Sequence, residues 1–129
     1  MLFGIGTDIV AVERLQRLYQ KHGDAALEKL LAPAERADFA QIAPAGQGRF
    51  LAKRWAAKEA LGKALGLGLR PPATATAIAV THDELGKPRF ALNAALQAYF
   101  NASGIAQAQL SLSDEAHYAV AFVVLERNS

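Results

Sequence analysis

The nineteen residues from Gln47 to Leu65, QGRFLAKRWAAKEALGKAL, are made mainly of good helix formers and are closed by the glycine-rich GLGLR. The spacing predicts a single helix about 28 Å long, enough to cross a small domain, so every other element must be arranged around it. On that helix Phe50, Ala57, Leu61, Ala64 and Leu65 fall on one arc, the core face. The opposite arc carries Ala52, Ala56, Glu59 and Lys63, flanked by Gly62 and Gly66, with Trp55 at its edge. A solvent face is ordinarily lined with long polar side chains. Small residues around one carboxylate and one amine predict open space in which a ligand approaches the backbone. Glu59 and Lys63 also read as an ordinary i,i+4 surface pair worth ~0.3–0.5 kcal/mol, so the helix alone does not decide between the two.

The segments on either side set the fold class. Residues 2 to 12, rich in Leu, Phe, Ile and Val with Gly4 and Gly6, predict a buried first strand, interrupted by Asp8 where a core strand would carry another apolar residue. Asp8 reads equally as a strand-end carboxylate accepting backbone hydrogen bonds. From Glu13 to His22 the apolar Leu15, Leu18 and Tyr19 lie on one helical face and Arg14, Arg17 and Lys21 on another, with Gly23 as the stop. Short helical pieces follow at Asp24 to Leu31 and from Pro33, with Glu35 near the positive end of the second. Pro44 and Gly46 mark a loop before the long helix, and Pro71 and Pro72 a break after it. Residues 75–81 and 89–92 read as a hairpin turning through HDELGKP, Asn93 as the cap of a helix to about Ala102, and AQLSLS, DEAH and YAVAFVVLE as strand, turn and strand. The order predicts an α+β single domain over residues 1–129, with a mainly antiparallel sheet packed on the long central helix.

Bulk properties narrow the function. The chain has 129 residues, 52 % hydrophobic and 20 % charged, the profile of a globular domain. It has no cysteine, which rules out disulfides, thiolate metal sites and cysteine nucleophiles. MLFGIGTDIVAVERL meets Asp8 too early for a membrane span and has no basic leader, so a soluble, cytoplasmic protein is expected. The net charge is only +2, yet Arg49, Lys53, Arg54, Lys58, Lys63 and Arg70 fall within 22 residues against Glu59 alone. That local excess predicts a phosphorylated or acidic partner. Nucleic acid is the weaker reading, because exposed aromatics are few and Glu59 sits inside the cluster.

Three segments taken together resemble a known family. GIGTDIV, FLAKRWAAKEALGKALG and DELGKP stand in the order and spacing of the 4′-phosphopantetheinyl transferases, of the short holo-[acyl-carrier-protein] synthase type, and the resemblance runs from residue 2 to about residue 126. GTDI with RxAxKEAxxKA about fifty residues later is highly specific. The resemblance implies that Asp8 and Glu59 bind magnesium and that Lys63 lies near the transferring phosphate. It implies that coenzyme A donates its phosphopantetheine arm to a serine of acyl carrier protein, leaving adenosine 3′,5′-bisphosphate. Arg49, Arg54, Gly86, Lys87 and Pro88 would hold the nucleotide. Arg14, with Arg17, Lys21 and Leu18, would face the acidic helix of the carrier protein. A homotrimer with active sites at subunit boundaries is also implied. One departure stands out. Many members carry a histidine in a SISH or SITH segment; here the chain reads SLSDEAHYA, with Asp114 in that place and His117 three residues later, and the resemblance assigns that role to neither. A module that binds coenzyme A without transferring its arm has the same signature apart from the chemistry.

Overall fold

A computed structural model describes residues 1–128. The order is β1 (Leu2–Ala11), α1 (Val12–His22), α2 (Asp24–Leu30), α3 (Pro33–Phe39), α4 (Pro44–Leu65), a 3-10 turn (Ala75–Ala77), β2 (Ile78–His82), β3 (Pro88–Leu92), α5 (Ala94–Ala102), β4 (Ile105–Asp114) and β5 (Tyr118–Arg127). The strands form two antiparallel sheets, β1-β5-β4 and the β2-β3 hairpin, and α4 lies against the larger one. The α+β domain with a long central helix is as the sequence predicts; its division into two sheets is the new element.

The long helix begins three residues early. Pro44 and Gly46 do not form a loop, because Pro44 occupies the first helical turn, where a missing N–H costs nothing and its fixed φ is already helical. Asn93 caps α5 by accepting from Leu96 N at 3.0 Å. The stretch from Ala75 is strand only from Ile78 onward.

The small residues of α4 serve the protein's own packing. Ala52, Ala56 and Ala60 are buried, and beyond the first turn of α4 only Arg49, Lys53 and the row Trp55, Glu59 and Lys63 remain open or partly open. A Cβ on Gly4 would sit 2.1 Å from the Ala64 carbonyl oxygen, and one on Gly6 2.0 Å from that of Ala60. Strand β1 therefore rests backbone to backbone on the helix. Gly62 is covered the same way by Gly68 as the GLGLR segment folds back. The space read from the sequence as room for a ligand is filled by strand and loop.

Alternation along β1 and β5 separates two faces. Ala119, Ala121, Val123 and Leu125 are buried against α4, while Ile5, Ile9 and Phe122 are about half exposed on the other side.

Candidate active site

Two close approaches place Asp8. Gly4 meets α4 at Ala64 and Gly6 meets it at Ala60, so β1 runs antiparallel to the helix. Two strand residues advance about 6.6 Å and four helical residues about 6 Å, so the next inward position of the strand falls a turn further back, in the stretch from Ala56 to Glu59. That position is Asp8. The geometry explains why a carboxylate interrupts an apolar strand. It is the first inward residue of GIGTD with a side chain, and it emerges where α4 carries its own carboxylate.

Lys63 completes the group. Its ammonium donates to Asp8 Oδ1 at 3.2 Å and to the Thr7 carbonyl at 2.9 Å, instead of closing the i,i+4 pair with Glu59. Burial holds the Glu59 carboxyl above the usual range, and the negative charge of Asp8 pushes it further; Lys63 and Arg14 pull the other way. Asp8 and Glu59 are thus close enough for the charge of one to act on the other. Among the described residues no group of three or more His, Cys, Asp or Glu side chains forms a metal cage. Magnesium does not require one, since it is usually held by one or two carboxylates with substrate phosphates and water. The hard oxygen pair at Asp8 and Glu59 fits that ion.

The remaining expected residues divide into three groups. Arg14, Arg17, Leu18 and Lys21 line one shallow depression of about 380 Å³ along α1. Arg17 is bonded to Glu13 at 2.6 Å, whereas Arg14 lies near enough to Glu59 to lower its pKa. Leu18 also borders an apolar hollow of about 310 Å³ floored by Trp55, one turn before Glu59. On the hairpin, Gly86 takes a positive φ of 86° in a turn organised by Asp83, whose Oδ1 accepts from Leu85 N and Lys87 N, both at 2.9 Å. Lys87 and Pro88 then line a cavity of about 610 Å³ between β3 and β4, together with Arg89, Phe90, Gln107 and Gln109.

The third group alters the expected charge pattern. Arg54 is not a surface cation. It is buried, with Nε 3.3 Å from Glu35 Oε2 and its guanidinium 4.3 Å from the centre of the Phe50 ring. Lys58 is buried too, and is bonded to Glu35. Arg49 is half exposed and pairs with Asp114 at 3.2 Å, so the acid that replaces the usual histidine holds an arginine of its own chain. His117 is exposed in the β4–β5 turn, where its carbonyl accepts from Val12 N at 2.8 Å. Of six basic residues counted along the sequence, Arg54 and Lys58 are neutralised inside, and Arg49 and Lys63 are paired with Asp114 and Asp8 nearer the surface. Sequence reasoning missed Glu35 as their partner. Its position behind Pro33 suggested only a helix-end charge.

The family model described as the 4′-phosphopantetheinyl transferase superfamily matches residues 4–123. The chain is 58 % identical over 126 residues to the holo-[acyl-carrier-protein] synthase of Dechloromonas aromatica, covering 98 % of each. It is 49 % identical over 126 residues to that of Laribacter hongkongensis, covering 98 % of this chain and 99 % of the other. The crystal structure of the Neisseria meningitidis synthase superposes with a TM-score of 0.93 at 44 % identity, over 98 % of this chain and 100 % of that one. The Bacillus anthracis synthase, solved in complex with CoA (3′,5′-ADP), superposes at 0.84 with 31 % identity and 99 % coverage of both. With the GxD strand seated on the KEA helix and matches across almost its whole length, the chain belongs to the 4′-phosphopantetheinyl transferase superfamily.

Proposed function

We propose that this chain is a magnesium-dependent holo-[acyl-carrier-protein] synthase serving fatty acid biosynthesis. It transfers the 4′-phosphopantetheine arm of coenzyme A to a serine of apo acyl carrier protein. The observation that carries this reading is the convergence of Asp8, Glu59 and Lys63 from β1 and α4 on one open face beside the α1 depression.

The serine oxygen bonds to the phosphorus nearer the pantetheine, the bond from that phosphorus to the bridging oxygen breaks, and adenosine 3′,5′-bisphosphate leaves. Asp8 and Glu59 would hold the magnesium ion, which supplies positive charge to the pyrophosphate as negative charge shifts to the leaving group. Lys63 stands one helical turn beyond Glu59 and places its ammonium on the leaving phosphate, a preformed charge that needs no reorganisation at the moment of transfer. Glu59, or a water held beside it, accepts the serine proton. Lys87 and Pro88 hold the nucleotide at the hairpin, Arg49 adds charge once released from Asp114, and Arg14 leads the carrier's acidic helix toward Glu59.

Association into trimers with shared active sites accords with the apolar outer face of β1 and β5, where Ile5, Ile9 and Phe122 remain about half exposed. Among the described residues no helix is long and apolar enough to cross a membrane. We place the enzyme in the cytoplasm. The deciding experiment incubates the protein with apo acyl carrier protein, coenzyme A and magnesium and weighs the carrier. A gain of one phosphopantetheine arm supports the reading. Coenzyme A binding with an unmodified carrier would make the protein a binding module, and salt-sensitive binding of DNA or RNA without either would make it a nucleic-acid protein.

A further inference from the structure

Three ionisable side chains outside the Asp8, Glu59 and Lys63 group lie together inside the protein. Lys58 is fully buried, and Glu35 and Arg54 are 1 % and 5 % exposed. The three hydrogens of the Lys58 ammonium meet three acceptors: the Leu30 carbonyl at 2.8 Å, the Ala75 carbonyl at 2.8 Å, and Glu35 Oε1. Glu35 Oε1 also accepts from Ala32 N at 2.9 Å, and Oε2 accepts from Val80 N at 3.0 Å with Arg54 Nε 3.3 Å away. Every oxygen and every ammonium hydrogen of this pair is used.

Such a pair is weak evidence for stability, because well-packed apolar residues of similar volume often do as well. What it supplies is direction. Through two side chains it joins the end of α2, the start of α3, the middle of α4, the 3-10 turn and β2. The hairpin most needs such a tie. Strands β2 and β3 hydrogen-bond to each other as a separate sheet, so no strand ladder sets where Lys87 and Pro88 stand relative to α4. On α4 the effect is rotational. Successive helical residues are 100° apart, so fixing the Lys58 side chain inward on three acceptors fixes the adjacent Glu59 at the edge facing Asp8.

We propose that Glu35 and Lys58 are positioning residues for the transfer site. They lock the rotation of α4 that aims Glu59 and the seat of the hairpin that grips the nucleotide. This rests on the transferase reading of the carboxylate pair and the hairpin.

The test is the double variant Glu35→Gln with Lys58→Met, which removes one charge of each sign and so keeps the net charge of the buried cluster, whereas either change alone would alter it and endanger folding; Arg54 keeps the Phe50 ring and the nearby charge of Asp38. Circular dichroism and thermal unfolding establish that it folds. Calorimetry then gives its affinity for coenzyme A and for magnesium, steady-state assays give KM for coenzyme A and for carrier protein, and hydrogen exchange reports on the Val80 amide. We expect affinities for magnesium and coenzyme A about tenfold weaker than wild type, the usual cost of losing groups that orient a ligand. The Val80 amide should exchange faster, and KM for carrier protein should not change. Wild-type affinities in the folded double variant would overturn the proposal. If the double variant does not fold, Lys58→Arg gives the same decision. It keeps the charge, but its planar fork cannot serve the three acceptors as an ammonium does, so both affinities should fall; wild-type values would again overturn the proposal. A wild-type protein that leaves apo carrier unmodified would instead remove the transferase reading, an outcome visible before any variant is made.

Discussion

Lys63 and Asp8, 55 residues apart in sequence, meet at 3.2 Å between ammonium and carboxylate, so the cation we propose for the leaving phosphate is held in place by an acid of the opposing strand. Lys63 is half exposed and Asp8 mostly covered, and solvent keeps such a pair worth less than about 1 kcal/mol. Lys63→Met should therefore leave thermal stability nearly intact while lowering kcat about 10²- to 10³-fold, the usual cost of removing one preorganised charge donor. Stopped-time transfer assays on protein of verified stability check both halves. A kcat near wild type would remove Lys63 from the chemistry.

Glu59 should reveal itself through stability as well as activity. Its carboxyl pKa is raised, mainly by burial and then by Asp8, so the folded state holds a proton to higher pH than the unfolded chain does. Stability is then fully present below the unfolded pKa and falls as pH rises from there through the folded pKa. In metal-free buffer at neutral pH, Glu59→Gln should be more stable than wild type, on the order of 0.5 kcal/mol because solvent still reaches the group. The gain should vanish at low pH, where both proteins carry a neutral side chain. Urea denaturation at acidic and neutral pH measures it. The same variant should need at least tenfold more magnesium for half-maximal transfer.

Gly6 is held at its position by contact, not by conformation. Any side chain there would strike the Ala60 carbonyl and the Ala64 amide, both main-chain groups of α4 that cannot rotate away. Gly6→Ala should cost about 1–3 kcal/mol through overpacking, and by lifting β1 off the helix should also part Asp8 from Glu59. Chemical denaturation combined with a magnesium titration distinguishes this from a simple loss of folded protein, since the surviving folded fraction should also bind magnesium less tightly.

Charge reversal at Arg14 should act chiefly on the carrier. The side chain is exposed in the α1 depression and is not tied up as Arg17 is by Glu13. Arg14→Glu should raise KM for carrier protein far more than KM for coenzyme A, with a weaker salt dependence of carrier binding than wild type. Equal rises in both constants would count against the docking role.

What the sequence made legible was local. Periodicity located the strands and helices, and the GTDI and KEA segments marked Asp8, Glu59 and Lys63, which the fold does bring together. What it hid depended on distant partners. Lys58 and Arg54 look like surface cations until Glu35, 23 and 19 residues earlier, is folded beneath them. Ala52 and Ala56 look like an open face until the rest of the fold closes over α4. Gly4 and Gly6 have a reason only once the carbonyls of Ala60 and Ala64 lie against them. Hydrophobic pattern shows that a strand exists but not which neighbour it pairs with, so the split into two sheets was not visible either.

The hairpin turn offers a final test, by acid. Asp83 has its pKa lowered, first by the backbone hydrogen bond from Lys87, with that from Leu85 and the Arg89 and Lys87 charges adding to it against the opposing effect of desolvation. A depressed carboxyl contributes stability that is present above its unfolded pKa and is lost as pH falls through the folded value. Because the group is exposed, the effect should remain local to the turn. The Leu85 and Lys87 amides should therefore lose exchange protection together below the ordinary carboxylate range, while amides of β1 and β5 stay protected. Asp83→Ala should reproduce that loosened turn at neutral pH. With Gly86, Lys87 and Pro88 no longer held in one conformation, the variant should raise KM for coenzyme A several-fold, on the scale of losing an orienting group. Its kcat should stay near wild type, because Asp8, Glu59 and Lys63 sit on other elements. A fall in kcat with unchanged KM would place the turn in the chemistry instead of in nucleotide binding.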